Sequence, residues 1–253
     1  MILPGATIGI LGGGQLGRML AIAAAQLGYR CHIYAPEGDS VAAEVAARFT
    51  CAPWDDAEAM AAFARGCDVI TYEFENVPVG PLASLPAERL SPHPRALETA
   101  QDREKEKAFV EGLGGRAAPY ALVDSHEDLL AAVDRIGAPG ILKTRFEGYD
   151  GKGQWRIGSA IEAEGASLHS ADLIYEGLVH FAAEFSVILA RHADGAIVFW
   201  DSAENVHSGG ILSRSTLPPS DTVRSQLDDA RALAAKVAEA LGYVGVLTLE
   251  FFA

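Results

Sequence analysis

The chain of 253 residues is 49% hydrophobic and 21% charged, which suits one large domain or two to three small ones with proper cores and excludes a disordered polymer. Its formal net charge of -14 argues against a nucleic-acid partner, because such binding draws most of its affinity from lysine and arginine on phosphates. No apolar run approaches the roughly 18 residues needed to cross a bilayer, and Met1-Ile2-Leu3-Pro4-Gly5 enters a strand without a basic leader, so a cytoplasmic protein with no membrane partner is expected.

The first segment predicts a strand over 6–11, a glycine turn at Gly12-Gly13-Gly14-Gln15-Leu16-Gly17, a helix over 18–27 closed by Gly28, and a strand over 30–34. An alanine-rich helix around 58–64 and a buried strand over 68–72 follow, so a parallel sheet should fill residues up to about 95. Gly12, Gly14 and Gly17 match G-x-G-x-x-G, with Glu37 about 20 residues on, where a dinucleotide fold keeps its ribose-binding acid. Taken alone this says NAD and an oxidoreductase. The same turn, however, serves any tight strand-to-helix connection, and its N–H groups hold any phosphate. Glu73 and Asn76 follow the carboxyl end of the 68–72 strand, where open α/β sheets present ligand groups. Cys31, Cys51 and Cys67 are odd in number and lack Cys-x-x-Cys spacing, so buried thiols are expected instead of a metal site or disulfides.

The prolines of Ser91-Pro92-His93-Pro94 mark a stiff connection and the first boundary. A charged helix is predicted over 99–113, closed by Gly114-Gly115. Ser125 then caps a helix with Asp128 at its third position and Leu129, Leu130, Val133 and Ile136 on its apolar face. Strands are expected over 140–144, 154–157, 173–176 and 184–190, the last paired through Asp194-Gly195 to 196–200, giving an antiparallel sheet. A helix over 221–241 leads to a final strand over 244–252.

Between the strands at 140–144 and 154–157 lies Phe146-Glu147-Gly148-Tyr149-Asp150-Gly151-Lys152-Gly153, where backbone N–H groups turn to one point and Lys143 and Lys152 add charge. That chemistry is phosphate binding, as of a nucleoside triphosphate; the alternative is a plain surface hairpin. No Gly-Lys-Ser/Thr opens a helix here, so a Walker A loop is disfavoured. Glu176, Glu184 and Glu250 stand among apolar strand residues and each needs a cation, a metal or donor groups. Alternation puts Leu247, Leu249 and Phe251 on one face of the last strand and Thr248, Glu250 and Phe252 on the other, so Glu250 faces away from the core. His207, in Glu204-Asn205-Val206-His207 before Gly209-Gly210, reads as a ligand group or as a satisfied structural histidine.

Taken together, Gly12 to Met19, Thr71-Tyr72-Glu73-Phe74-Glu75-Asn76-Val77-Pro78, Gln101-Asp102-Arg103, Gly148 to Gln154 and Glu204-Asn205-Val206-His207 resemble the 5-(carboxyamino)imidazole ribonucleotide synthase family of ATP-grasp enzymes. The resemblance covers nearly the whole chain. It implies an α/β Rossmann-like pre-ATP-grasp domain at 1–95, a connecting helix at 96–115, and an α+β ATP-grasp domain made of a lid at 116–177 and a larger subdomain at 178–253. It implies ATP and Mg²⁺ as cofactors, aminoimidazole ribonucleotide and bicarbonate as substrates, carboxyphosphate as intermediate, and a homodimer. By residue it implies Arg103 and Lys143 on the nucleotide phosphates, Gly148, Tyr149, Asp150, Gly151, Lys152, Gly153 and Gln154 as a flap, and Glu176, Gly177, Leu178 and Val179 along the adenine edge. Glu184 would take the ribose, His207 the phosphates and Glu250 the metal. Gly14, Gln15, Leu16, Glu73, Asn76, Tyr149 and Asp150 would meet the imidazole nucleotide, with Asp150 accepting the amine proton. The family continues into a second acidic motif of the type Asn-Glu-x-x-x-Arg, so the resemblance also implies a truncated form lacking one metal ligand, for which a non-catalytic nucleotide-binding module is the alternative.

Overall fold

The computed structural model describes residues 2–147, 153–168 and 170–253 and divides into two compact units, Met1–Glu98 and Thr99–Ala253. In the first unit, β1 (Thr7–Leu11), α1 (Gln15–Gln26), β2 (Arg30–Ala35), β3 (Arg48–Cys51), α2 (Ala57–Arg65) and β4 (Val69–Tyr72) form a parallel sheet in the order β3-β2-β1-β4 with helices on both faces. The central strand β1 reads as a near-continuous apolar run because both faces of the sheet are covered. Ile10, Ala21, Ala24 and Ile33 pack on the α1 side, while Leu11, Tyr34, Met60, Phe63 and Ile70 pack on the α2 side. The short helix α3 (Val79–Leu82) follows, and α4 (Arg95–Ala100) spans the boundary at Glu98.

The expected parallel sheet is present, with β3 added. Arg48–Cys51 has one exposed end at each side and two half-buried residues between, a weak period that the sequence pattern did not reveal. Cys31 and Cys67 are buried free thiols, but Cys51 is exposed on this edge strand, against expectation. Burial pushes the Cys67 thiol up to about 12, which keeps it protonated and inert beside His32.

The second unit holds two antiparallel sheets. α5 (Arg103–Gly112), β5 (Tyr120–Val123), α6 (His126–Ile136), β6 (Gly140–Thr144), β7 (Gln154–Ile157), α7 (Ala160–Glu164) and β8 (Leu173–Gly177) give a sheet in the order β5-β8-β6-β7. Helices α6 and α7 cover one face around Val123, Leu129, Leu142 and Tyr175. Ser125 and Asp128 form the expected capping box on α6. The charged helix expected over 99–113 is broken, because Asp102 turns its carboxylate onto the N–H of Glu104 and starts α5 afresh.

The other sheet is built from β9 (Glu184–Arg191), β10 (Ile197–Phe199), β11 (Glu204–Ser208), β12 (Ile211–Thr216) and β13 (Gly245–Phe252), with β13 paired to β9 over its whole length. Helices α8 (Asp221–Arg224) and α9 (Leu227–Ala240), not one continuous helix, cover it through Val223, Ala230, Ala234 and Ala238 against Phe185, Val187 and Leu189.

One glycine sets the inner packing of the β5-β8-β6-β7 sheet. A Cβ on Gly140 would lie 2.2 Å from the Tyr175 hydroxyl and 2.7 Å from the Glu176 carbonyl oxygen, because the fully buried tyrosine ring crosses this position to donate to the Gly137 carbonyl at 2.8 Å. Gly140→Ala is expected to cost about 2 kcal/mol by overpacking, read from the denaturant midpoint. An unchanged midpoint would mean that the ring is not confined there.

Candidate functional site

The end of β6 and the start of α5 are fastened to each other. The Asp102 carboxylate is 3% exposed and accepts from Arg145 Nε at 2.7 Å and Nη2 at 2.8 Å, a bidentate fork. Arg145 also meets Glu104 at 2.6 Å, and its carbonyl accepts the Arg103 N–H at 3.1 Å. Burial would raise the Asp102 carboxyl, but the Arg145 hydrogen bonds and charge, with the backbone N–H groups of the cap, hold it below the usual carboxylate range. The Arg103 guanidinium donates to the Thr144 carbonyl at 3.1 Å, so the two cations singled out from the sequence, Arg103 and Lys143, stand at neighbouring positions.

One strand over, Glu176 lies beside Lys143. Register pairs Ile141 with Glu176 and Lys143 with Ile174, so both side chains leave the face opposite the Tyr175 core. Lys143 Nζ donates to Glu176 Oε2 at 2.7 Å, and Lys107 Nζ from α5 lies 3.1 Å from Oε1. Burial alone would raise Glu176, yet the two ammonium groups overcome it and keep the carboxyl below its ordinary range. Gly177 ends this strand and Leu178 and Val179 follow it, all three half-buried, with the Gly177 N–H donating to the Pro119 carbonyl and the Leu178 N–H to the Pro139 carbonyl. Gly153, with φ of 66°, accepts from the Thr144 N–H, and Gln154 pairs with Lys143 across the hairpin. Gly148, Tyr149, Asp150, Gly151 and Lys152 lie outside the described residues.

On the β9 sheet, Phe185, Val187 and Leu189 face α9, so Glu184 and Ser186 point to the other side. Cross-strand pairing sets Glu250 opposite Ser186, Phe252 opposite Glu184, and Asn205 opposite Glu184. Glu250 thus lies away from Leu247, Leu249 and Phe251, as the alternation of the last strand foretold, and the register adds that it shares its face with Glu184. His207 Nδ1 and Glu184 Oε2 are hydrogen-bonded, joining two residues that the sequence offered separately. Asn205 is fixed by Ser186 at 2.6 Å and Ser215 at 2.8 Å. Phe181 stacks on Phe252 at 4.3 Å with both rings exposed, an apolar surface beside the acids. Among the described residues no three His, Cys, Asp or Glu side chains gather as a metal cage.

In the first unit, the glycine turn and Glu73 meet. Glu73 Oε1 accepts the Gly14 N–H at 2.8 Å, and a Cβ on Gly12, where φ is +117°, would lie 2.7 Å from the same oxygen. Gln15 and Leu16 are exposed at the start of α1, and Asn76 is half-buried. Glu37 is exposed, and the carboxylate that reaches the glycine turn is Glu73.

Sequence reasoning missed Lys107, Glu104 and Arg145. Lys107 stands one helical turn after Arg103, a spacing that puts both on one side of α5; the signal was present but lost in a run where nearly every residue is charged.

Residues 5–101 match the Ribonucleotide synthetase preATP-grasp domain, and residues 108–253 match the ATP-grasp domain. The N5-carboxyaminoimidazole ribonucleotide synthase of Brucella melitensis is 50% identical, with 98% of this chain and 70% of the relative covered. The enzyme of the same name from Bacillus subtilis is 39% identical over 100% of this chain and 67% of its own length. Among solved structures, an ADP complex of N5-carboxyaminoimidazole ribonucleotide synthetase superposes with a TM-score of 0.89 at 38% identity, covering 100% of this chain and 68% of that one.

Proposed function

The chain belongs to the N5-carboxyaminoimidazole ribonucleotide synthase family of ATP-grasp ligases, and we propose that the two clusters of its second unit are the nucleotide site of that reaction. The reaction is the ATP- and bicarbonate-dependent carboxylation of the exocyclic amine of 5-aminoimidazole ribonucleotide, a step of purine biosynthesis. This sets aside NAD chemistry on the Gly12–Gly17 turn. ATP phosphorylates bicarbonate to carboxyphosphate with release of ADP; loss of phosphate gives carbon dioxide, which the amine attacks.

The observation that carries the site assignment is the placement of Lys143 and Arg103 at the foot of the glycine-rich hairpin, beside a buried carboxylate. In this reading both cations meet the phosphates, offsetting charge that gathers on the transferring phosphoryl group. Glu176, Gly177, Leu178 and Val179 border the adenine, with Phe181 and Phe252 supplying apolar surface. Glu184 takes the ribose hydroxyls while its bond to His207 orients the imidazole towards the phosphates. Glu250 would hold Mg²⁺, which supplies charge neutralisation on the phosphate oxygens when bound. Gly148, Tyr149, Asp150, Gly151, Lys152, Gly153 and Gln154 act as the flap that shields carboxyphosphate from water, with Asp150 taking the amine proton. Gly14, Gln15, Leu16, Glu73 and Asn76 bind the imidazole nucleotide. Residues 1–95, 96–115, 116–177 and 178–253 serve as pre-ATP-grasp domain, connecting helix, lid and larger subdomain.

ADP release is expected to depend on bicarbonate, and labelled bicarbonate carbon is expected in the product only when the aminoimidazole nucleotide is present. Release of ADP indifferent to both would sink the assignment. A cytoplasmic setting agrees with the lack, among the described residues, of any helix long and apolar enough to cross a membrane. A homodimer agrees with the exposed apolar residues Met19 and Leu20 on α1 and Leu27 at its C-cap, and sedimentation velocity is expected to give twice the chain mass.

A further inference from the structure

Glu176 is held between two ammonium groups, of which the phosphate reading uses one. Lys143 and Lys107 have side-chain exposures of 17% and 15%, and that of Glu176 is 8%. Lys107 also stands 5.7 Å over the Tyr120 ring, which fills the space next to its ammonium. The three groups carry two positive charges and one negative, so the buried cluster has an excess positive charge that suits an incoming anion. The difficulty lies with the carboxylate. If Lys143 turned to a phosphate and nothing else faced Glu176, a buried carboxylate would lose its counter-ion, and breaking such a pair is strongly unfavourable.

We propose that Lys107 is a positioning residue: it stays on Glu176 as the standing counter-ion and thereby releases Lys143 to the nucleotide phosphates. The distances fit this division of labour. Lys143 donates to Oε2 at 2.7 Å while Lys107 meets the other oxygen, Oε1, at 3.1 Å, so each carboxylate oxygen has its own cation and the Lys107 contact does not depend on Lys143 staying in place. Helix position fits it too, since the start of α5 is tied to the end of β6 through Asp102 and Arg145 and carries Lys107 at a fixed height beside Lys143.

The inference rests on the nucleotide site proposed above, and the test separates the two. Calorimetry of the protein with ATP and magnesium is expected to show Lys107→Met weakening ATP binding by about 100-fold. Lys107→Arg, which keeps the charge, is expected to bind within a few-fold of the native protein. The decisive variant is Lys107→Met with Glu176→Gln. With the carboxylate neutralised no counter-ion is needed, so the double variant should recover at least about tenfold over Lys107→Met alone. The same Glu176→Gln change added to Lys143→Met should recover nothing, because there the phosphate contact itself is gone. Native protein that binds no ATP overturns the nucleotide site and this inference with it. Native protein that binds ATP while Lys107→Met binds equally well overturns the inference alone, as does a double variant no better than Lys107→Met.

Discussion

Lys143→Met is expected to lower kcat/KM for ATP by about 10²- to 10³-fold, the usual loss when one preorganised donor to a developing anionic charge is removed. The side chain leaves β6 on the face away from the Tyr175 core, so its loss empties no hydrophobic contact of that core. Glu176 keeps Lys107 at 3.1 Å, so the buried carboxylate is not stranded and the variant should melt near the native temperature. A normal melt with collapsed turnover is therefore the expected pair of results. Lys143→Arg should restore part of the rate, since the charge returns on a longer and planar head. Native turnover in Lys143→Met would show that the hairpin foot is not where the phosphates sit.

Asp102→Ala is expected to destabilise the second unit by about 3 kcal/mol. Roughly 1 kcal/mol of this is the lost N-cap of α5. The remainder is the Arg145 guanidinium left without its main partner; the full penalty for breaking a buried pair, about 3–5 kcal/mol, is discounted because Glu104 still meets Arg145 at 2.6 Å. The sign with pH follows from the depressed Asp102 carboxyl. Its contribution is complete above the ordinary carboxylate value of 3.8 and is lost as pH falls through the lower folded value. The gap between native and variant proteins should thus narrow below about pH 4. Urea titrations at pH 7 and pH 3 read both quantities, and a gap under 1 kcal/mol that is equal at the two pH values would refute the account. Because Asp102 also anchors the helix turn that carries Arg103, KM for ATP should rise in the same variant.

Local rules made much of the architecture legible in advance. The parallel sheet of the first unit follows from apolar runs joined by a glycine turn and a helix, and the capping box of α6 follows from Ser125 and Asp128 three residues apart. Glu250 could be turned away from the core by counting alternate residues, because a strand's two faces are fixed by its pleat. Elements of weak period were lost: β3 alternates too little to be seen, and Asp102 stops a helix that composition would have run straight through.

The sequence by itself determined the element order, the candidate acids and cations, and the motifs that tie the chain to its family, since these depend on spacing along a strand, a turn or a helix. Only the tertiary structure decided which of those groups share charge. The joining of His207 to Glu184, the clamp of Arg145 on Asp102 and the sandwiching of Glu176 by Lys107 and Lys143 link residues from 23 to 69 positions apart. Such pairs are set by sheet register and helix docking, and a charge in the sequence carries no mark of the partner that folding will bring to it.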